Sequence, residues 1–215
     1  MKSVGFSLGN YGYIGTGVDT NGNHLADFWQ YDPSSNTWTQ KANFAGGARE
    51  GAVGFSIGTK GYIGTGFDGN NYYDDFWEYS PSTNSWIQKA NYAGSLRAYA
   101  AGFSIGNKGY IGTGKEPTVT FISHDLWEWD QATNSWTLQD SLGDIGNSRY
   151  YAVGFAIGTK GYIGTGTQDG FGNMASDFWE FDPNGVGVNE INLDNLIEVY
   201  PNPTNGQFQI QANSY

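Results

Sequence analysis

The sequence of 215 residues has no cysteine, few charged residues and no long apolar run. Without cysteine the chain can form no disulfide, no cysteine-ligated metal site and no thiol nucleophile. No apolar run reaches the about 18 residues that a transmembrane helix needs, so we expect no membrane insertion. The 10 basic and 21 acidic residues give a net charge of −11, which disfavours nucleic acid because phosphates need Lys and Arg.

Glycine and aromatic residues are what the chain has in excess. It contains 33 glycines, and Phe, Trp and Tyr make up 17% of its residues. Aromatic side chains supply large buried areas, which argues against a disordered chain. Glycines spaced every few residues would each penalise a helix by about 1 kcal/mol. The composition therefore favours a folded domain built from strands and turns.

A five-residue string, YIGTG, recurs along the chain and begins at Tyr13, Tyr62, Tyr110 and Tyr162. An FW or LW dipeptide follows each copy, with its tryptophan at Trp29, Trp77, Trp127 and Trp179. An arginine opens each later unit, at Arg49, Arg97 and Arg149. Each unit reads as four short strands separated by residues typical of turns. Four-stranded antiparallel units with a period near 50 residues predict a β-propeller.

The repeats divide residues 1–184 into blades at about 1–48, 49–96, 97–148 and 149–184. We predict an all-β propeller of four blade repeats, each of four antiparallel strands, followed by a short C-terminal β tail. The last unit stops after its third strand, DFWEFDP, and has no second tryptophan. The last blade is therefore predicted to be incomplete, with the missing strand upstream of Met1, and residues 185–196 are predicted to be a linker.

The order of motifs within a unit resembles the kelch repeat, in its bacterial type. An arginine, an apolar strand, the YIGTG string, an acidic-aromatic strand and a DPxxNxW turn follow one another over residues 1 to about 183. One departure is the sequence Gly64, Thr65, Gly66 where the kelch pattern has adjacent glycines. The resemblance implies a propeller of the kind that also occurs in galactose oxidase-like enzymes. Those copper-radical enzymes need a Tyr–Cys crosslink, which a chain without cysteine cannot form.

The C-terminal residues 197–215 differ in character from the repeats. The stretch VYPNPTNGQF, which contains Pro201, Asn202 and Pro203, resembles the opening of the C-terminal sorting domain of proteins exported by the type IX secretion system. The resemblance implies that the parent protein is extracellular or lies on the cell surface. The copy is shorter than a full sorting domain and no signal peptide is visible, so we expect the chain to be part of a longer polypeptide.

The loops between the second and third strands differ between units, and variable loops carry function on repeat scaffolds. Four aromatic residues outside the repeat pattern are the candidate binding residues: Tyr72, Tyr73, Phe121 and Phe171. A weaker candidate is a calcium site at Asp19, Asn21 and Asn23, although such loops are usually plain turns. The repeated Asp and Arg residues are interpreted as parts of the blade framework.

These observations predict a secreted or surface-exposed binding module that is not an enzyme and has no cofactor. Its partner would be a protein or a carbohydrate, since aromatic side chains beside Asn and Asp suit either. The alternatives are a fragment of a kelch-containing enzyme, such as a sugar oxidase or epimerase, and a structural repeat of an adhesin. Non-repeated His, Glu or Tyr side chains converging in the centre of the ring would favour an enzyme.

Overall fold

The computed structural model describes residues 1–117, 122–143, 148–168, 173–185, 187–191, 197–200 and 209–212. Blade 1 consists of β1 (Val4–Leu8), β2 (Tyr11–Gly15), β3 (Phe28–Asp32) and β4 (Thr37–Gln40). Blade 2 consists of β5 (Val53–Ile57), β6 (Lys60–Gly64), β7 (Phe76–Ser80) and β8 (Ser85–Gln88). Blade 3 consists of β9 (Ala101–Ile105), β10 (Lys108–Gly112), β11 (Asp125–Asp130) and β12 (Ser135–Ser141). Blade 4 consists of β13 (Val153–Ile157), β14 (Lys160–Gly164), β15 (Phe178–Asp182) and β16 (Gly187–Ile191).

Each blade is an antiparallel meander in which neighbouring strands along the chain pair with each other. In blade 2 the first turn is Gly58–Thr59, and Gly58 adopts the left-handed conformation (φ 57°) that a two-residue hairpin requires. The turn between β7 and β8 contains Asn84, also left-handed (φ 49°), as Asn tolerates. The four blades are arranged as a propeller, and the predicted all-β fold is confirmed. The described residues form no helix, hence none that could cross a membrane.

The prediction that the last blade lacks its outer strand was wrong. Strand β16 pairs with β15 and lies inside the segment predicted to be a linker. Val188 of β16 faces Phe181, in the register at which Trp86 faces Tyr79 in blade 2. Pairing needs only the backbone, so a strand without the tryptophan signature can still complete the sheet. The tail adds a separate two-stranded sheet of β17 (Ile197–Tyr200) and β18 (Gln209–Ala212).

The hydrophobic cores lie between adjacent blades, where inner strands β1, β5, β9 and β13 contact one another in sequence. At the joint between blades 2 and 3, the ring of Phe55 lies directly over Gly109, and Val53 lies over Gly102. The two glycines leave the space that these side chains fill. Phe55 is only 4% exposed. Each joint is thus a close fit between a phenylalanine on one blade and a glycine on the next.

In each of blades 2, 3 and 4 a buried arginine forms hydrogen bonds with the residue that follows the second strand and with an aspartate at the start of the third. The Arg49 guanidinium donates to both carboxylate oxygens of Asp75, at 2.5 and 3.0 Å, and to the carbonyl oxygen of Thr65 at 2.9 Å. The indole nitrogen of Trp77 donates to the same carboxylate at 2.7 Å. The arrangement recurs in the other arginine-bearing blades, with Arg97, Asp125 and Trp127 and with Arg149, Asp177 and Trp179. The repeated residues are therefore used by the framework of each blade.

Candidate functional site

One residue from each blade lies just before its inner strand, and the four form a hydrogen-bonded belt from blade to blade. The backbone N–H of Gly51 donates to the carbonyl of Lys2 at 3.1 Å. Tyr99 donates in the same way to Gly51 at 2.8 Å, and Tyr151 donates to Tyr99 at 3.0 Å. We call Lys2, Gly51, Tyr99 and Tyr151 the axial belt, because they link the inner strands around the centre of the propeller.

The axial belt repeats in backbone geometry and varies in side chain. All four residues are left-handed, with φ of 59° at Lys2, 62° at Gly51, 60° at Tyr99 and 59° at Tyr151. This conformation is uncommon for residues other than glycine, and such outliers cluster at functional sites. The blades therefore present a Lys, a Gly and two Tyr at one strained position. This is where the fourfold repeat is broken.

A glutamate that occurs in one blade only lies next to the belt. Glu50 is 6% exposed, whereas Ala98 and Tyr150 stand at the corresponding positions of blades 3 and 4. Its Oε1 accepts hydrogen bonds from the Lys2 ammonium at 2.9 Å and from the Tyr99 hydroxyl at 2.5 Å. The Lys2 ammonium also lies 5.2 Å from the centroid of the Tyr99 ring. An ammonium from blade 1 and a phenol from blade 3 thus meet at one carboxylate of blade 2.

The contacts in this cluster determine its charges. Burial alone would raise the pKa of Glu50, but the hydrogen bonds from Tyr99 and Lys2 outweigh it and lower that pKa. Burial opposes the charge of Lys2, yet the bond to Glu50 raises the pKa of Lys2 above its ordinary value. Burial, followed by the bond to Glu50, raises the pKa of Tyr99. At neutral pH the cluster consists of a carboxylate, an ammonium and a neutral phenol.

A cavity of about 230 Å³ opens at the belt, and we call it the axial cavity. Its wall includes Lys2, Gly51, Tyr99 and Tyr151, with small residues such as Ala100 between them. Tyr151 is 46% exposed and its ring lies 4.6 Å from that of Tyr99, centroid to centroid. The cavity is therefore lined by two tyrosine rings and the Lys2 side chain, and the buried Glu50 is not part of its wall.

The comparisons with known proteins agree on the architecture. The kelch motif family model matches residues 12–45. The solved structure of YjhT superposes with a TM-score of 0.76 at 19% identity, over 88% of this chain and 63% of that one. The fold is a β-propeller in which residues 12–45 match the kelch motif. The chain spans 63% of the YjhT chain, and at this identity the likeness shows the fold alone. No curated protein matches the sequence.

The propeller places the two candidate tyrosines of the blade 2 loop in different surroundings. Tyr72 packs against Phe67, with ring centroids 4.7 Å apart, and Phe67 forms a backbone β-bridge with Glu50. Burial, followed by the nearby Tyr151 and Glu50, raises the pKa of Tyr72. Tyr73 covers the buried Arg49 guanidinium, which lies 4.1 Å from its ring centroid. Neither tyrosine is among the residues that line the axial cavity.

The remaining candidate residues are placed as follows. The Asp19 carboxylate accepts the backbone N–H groups of Asn21 at 2.8 Å and Asn23 at 2.9 Å, together with the Asn23 side-chain amide. Its oxygens are used within the turn, and over the described part of the chain no three His, Cys, Asp or Glu residues are grouped to hold a metal. Outside the described residues lie Phe121, Phe171, Pro201, Asn202 and Pro203.

The sequence did not identify Lys2, Glu50, Tyr99 and Tyr151 as candidates. A signal was available, because Lys2 and Glu50 differ from the residues at the same phase of the other units, and a tyrosine stands at the belt position in two units only. The ring of His24 meets Phe67 edge-on, with centroids 6.2 Å apart, and its buried Nε2 has no hydrogen-bond partner among the described residues.

Proposed function

We propose that this kelch propeller is a non-catalytic binding module that takes a carbohydrate unit in the axial cavity. The observation that carries the proposal is the cluster of Lys2, Glu50 and Tyr99. Lys2 and Tyr99 line the cavity, and both donate hydrogen bonds to the buried Glu50 beside it. Framework residues recur from blade to blade, whereas Lys2 and Glu50 each occur at their position in one blade only, and this departure from the repeat favours a ligand site.

The chemistry of the cavity suits a sugar. A sugar hydroxyl can accept a hydrogen bond from the Lys2 ammonium in the cavity wall, and the bond from Lys2 to Glu50 holds that ammonium in place. The partly exposed ring of Tyr151 offers an apolar surface with a polar tip, as aromatic residues at binding surfaces do. The volume of about 230 Å³ is below the roughly 300–1,000 Å³ of drug-sized sites. We therefore expect recognition of a single sugar unit at a chain end.

The test is calorimetric titration with D-glucose, D-galactose, N-acetylglucosamine and glucuronic acid. We expect saturable binding of at least one sugar, weakened tenfold or more by Glu50→Gln. Glu128→Gln is the matched control, because Glu128 also accepts from a lysine and a tyrosine, Lys108 and Tyr110. Equal weakening by both variants, or no binding of any sugar, would contradict the proposal.

An enzyme acting on a sugar, such as an epimerase, is the second candidate. The specific observation in its favour is that the non-repeated Glu50 meets the neutral Tyr99 phenol in a hydrogen bond near the centre of the propeller, where a carboxylate and a phenol could exchange a proton. Incubation of the same sugars with the protein in D₂O, followed by NMR, tests this candidate. If deuterium is incorporated at a sugar carbon and Glu50→Gln abolishes this incorporation, the protein is an enzyme and not a binding module.

We propose further that the parent protein is bacterial and is exported to the cell surface or the medium. The support is the resemblance of the PNPTNG stretch, which begins at Pro201, to a type IX sorting signal. A reporter fused to the full-length parent in a bacterium with this secretion system should appear outside the cell. Deletion from Ile197 onward should retain it inside. A reporter that stays internal with the tail intact would contradict this location.

A further inference from the structure

The three joints between successive blades share one design. The phenylalanine of one inner strand lies over a glycine of the next blade: Phe6 over Gly61, Phe55 over Gly109 and Phe103 over Gly161. A Cβ atom placed on Gly61 would lie 2.6 Å from the Phe6 ring, so no side chain fits there. Each blade therefore has a phenylalanine-bearing side and a glycine-bearing side.

Blade 4 carries the phenylalanine-bearing side without a cover. Val153, Phe155 and Ile157 of β13, which we call the Phe face, are 51%, 40% and 64% exposed. The equivalent residues of blade 2, Val53, Phe55 and Ile57, are 4%, 4% and 3% exposed. The sequence is thus as apolar at blade 4 as at the covered joints, and its side chains meet solvent.

Blade 1 carries the glycine-bearing side, also without a cover. We call Gly5, Gly12 and Ile14 the Gly face. A Cβ atom on Gly12 would meet nothing closer than the Cβ of Tyr31, 3.7 Å away in its own blade. Ile14 is 41% exposed, whereas its equivalent in blade 2, Ile63, is 0% exposed. The space that a phenylalanine occupies at Gly61, Gly109 and Gly161 is therefore open at Gly12.

The axial belt ends at the same two blades with opposite hydrogen-bonding groups. Its bonds run from the N–H of one blade to the C=O of the preceding blade. Within the described chain, the N–H of Lys2 and the C=O of Tyr151 have no backbone partner. Among the described residues, blade 1 thus has an unpaired backbone N–H at Lys2, and blade 4 has an unpaired backbone C=O at Tyr151. These are the two groups that pair with each other at the three internal joints.

We propose that the Phe face of one copy docks on the Gly face of a second copy, head to tail. Phe155 then lies over Gly12 of the second copy, as Phe103 lies over Gly161 within the chain, and the belt continues from Tyr151 to Lys2. The surface continues an interface that the molecule already forms three times. Because the two faces differ, the contact is heterologous, and copies add until the ring closes or the chain of copies ends.

Each of the two faces can be altered by its own substitution. Phe155→Asp puts a charge on the Phe face, and Gly12→Val fills the Gly face. Both positions are open in the single chain, so both variants should fold. Ile87→Asp is the control, because Ile87 is an exposed apolar residue (56%) on outer strand β8, away from both faces. Near-UV circular dichroism and the thermal midpoint verify the fold of each protein before sedimentation.

Sedimentation of the purified chain should give a mass of two copies or more that falls on dilution. Phe155→Asp and Gly12→Val alone should each sediment as one copy, and Ile87→Asp should behave as the unaltered chain. An equimolar mixture of Phe155→Asp and Gly12→Val should form a complex of two copies, since each supplies the face that the other lacks. A single-copy mass for the unaltered chain at about 100 μM, or association unaffected by both substitutions, would overturn the proposal. The faces would then belong to blades of a longer polypeptide.

Discussion

At the scale of the residue, the threonine of the YIGTG string explains a departure from the kelch pattern. Thr65 is left-handed (φ 60°), a strained conformation for a β-branched residue. Its N–H donates to the carbonyl of Asp75 at 3.1 Å, and its own carbonyl accepts from Arg49 at 2.9 Å. These two hydrogen bonds of the Thr65 backbone stabilise its left-handed conformation. The next residue, Gly66, has φ 108° and lies against Arg49, so only glycine fits there.

The Asp–Arg–Trp contacts allow a prediction with a control in the same chain. The Asp75 carboxylate accepts hydrogen bonds from the fully buried Arg49 and from Trp77, whereas Asp27 of blade 1 accepts one from Trp29 and, among the described residues, none from an arginine. Asp75→Ala should cost about 3–5 kcal/mol of unfolding free energy, because it leaves a buried charge unpaired. Asp27→Ala should cost less, about 1.5–3 kcal/mol, the loss of one hydrogen bond to a charged group. Urea unfolding measures both, and equal costs would contradict the role given to Arg49.

Stability should also depend on pH through these carboxylates. The Arg149 guanidinium and the Trp179 indole outweigh burial and hold the pKa of Asp177 below its ordinary value. A lowered folded-state pKa adds stability that is complete above the unfolded value of about 3.9 and is lost as pH falls below it. Asp177→Asn should therefore be less stable at pH 7 and lose less stability between pH 4 and pH 2. Urea midpoints across this range measure the difference, and parallel losses would refute it.

At the scale of the element, strand β16 shows how a blade can be completed without its sequence signature. The first three blades place a tryptophan opposite an aromatic residue of the third strand, as Trp86 lies opposite Tyr79. In blade 4 this place is taken by Val188, which packs against the core between blades 3 and 4. The repeat motif therefore predicts the outer strand only in the blades where that strand contains a tryptophan.

Truncation tests the assignment of β16. A chain ending at residue 184 lacks the strand, whereas one ending at residue 196 keeps it and removes only the tail. Loss of the strand and of Val188 packing should cost about 2 kcal/mol or more, which lowers the thermal midpoint by at least about 4 °C in a chain of this size. The chain ending at 196 should melt like the full chain. If the two truncated chains melt together, β16 does not stabilise blade 4.

At the scale of the whole molecule, each blade packs only against its neighbours. Inner strand β5 contacts β1 and β9, and β9 contacts β5 and β13. Blades 2 and 3 therefore have two joints each, while blades 1 and 4 have one open side. In repeat proteins, stability is approximately a sum of repeat and nearest-neighbour terms. The end blades are thus expected to open more readily than the central ones.

Hydrogen exchange measures this difference. In the Phe155→Asp variant, which keeps the Phe face unoccupied, amides of β6 and β10 should exchange more slowly than those of β2 and β14. These four strands occupy the same place in their blades, so the comparison isolates the number of joints. Equal protection in all four would mean that the molecule opens only as a single unit, against the nearest-neighbour picture.

By itself, the sequence determined the fold of this protein except for the outer strand of blade 4. Blade number, the order of the other strands and the turn positions follow from local signals, because each blade is a continuous segment whose glycines, turn residues and aromatic strands recur in register. The axial site was decided only by tertiary structure. Lys2, Glu50 and Tyr99 lie nearly one repeat apart along the chain, and none carries a local motif. They become neighbours because successive inner strands pack side by side, which brings together the residues that precede the inner strands of different blades.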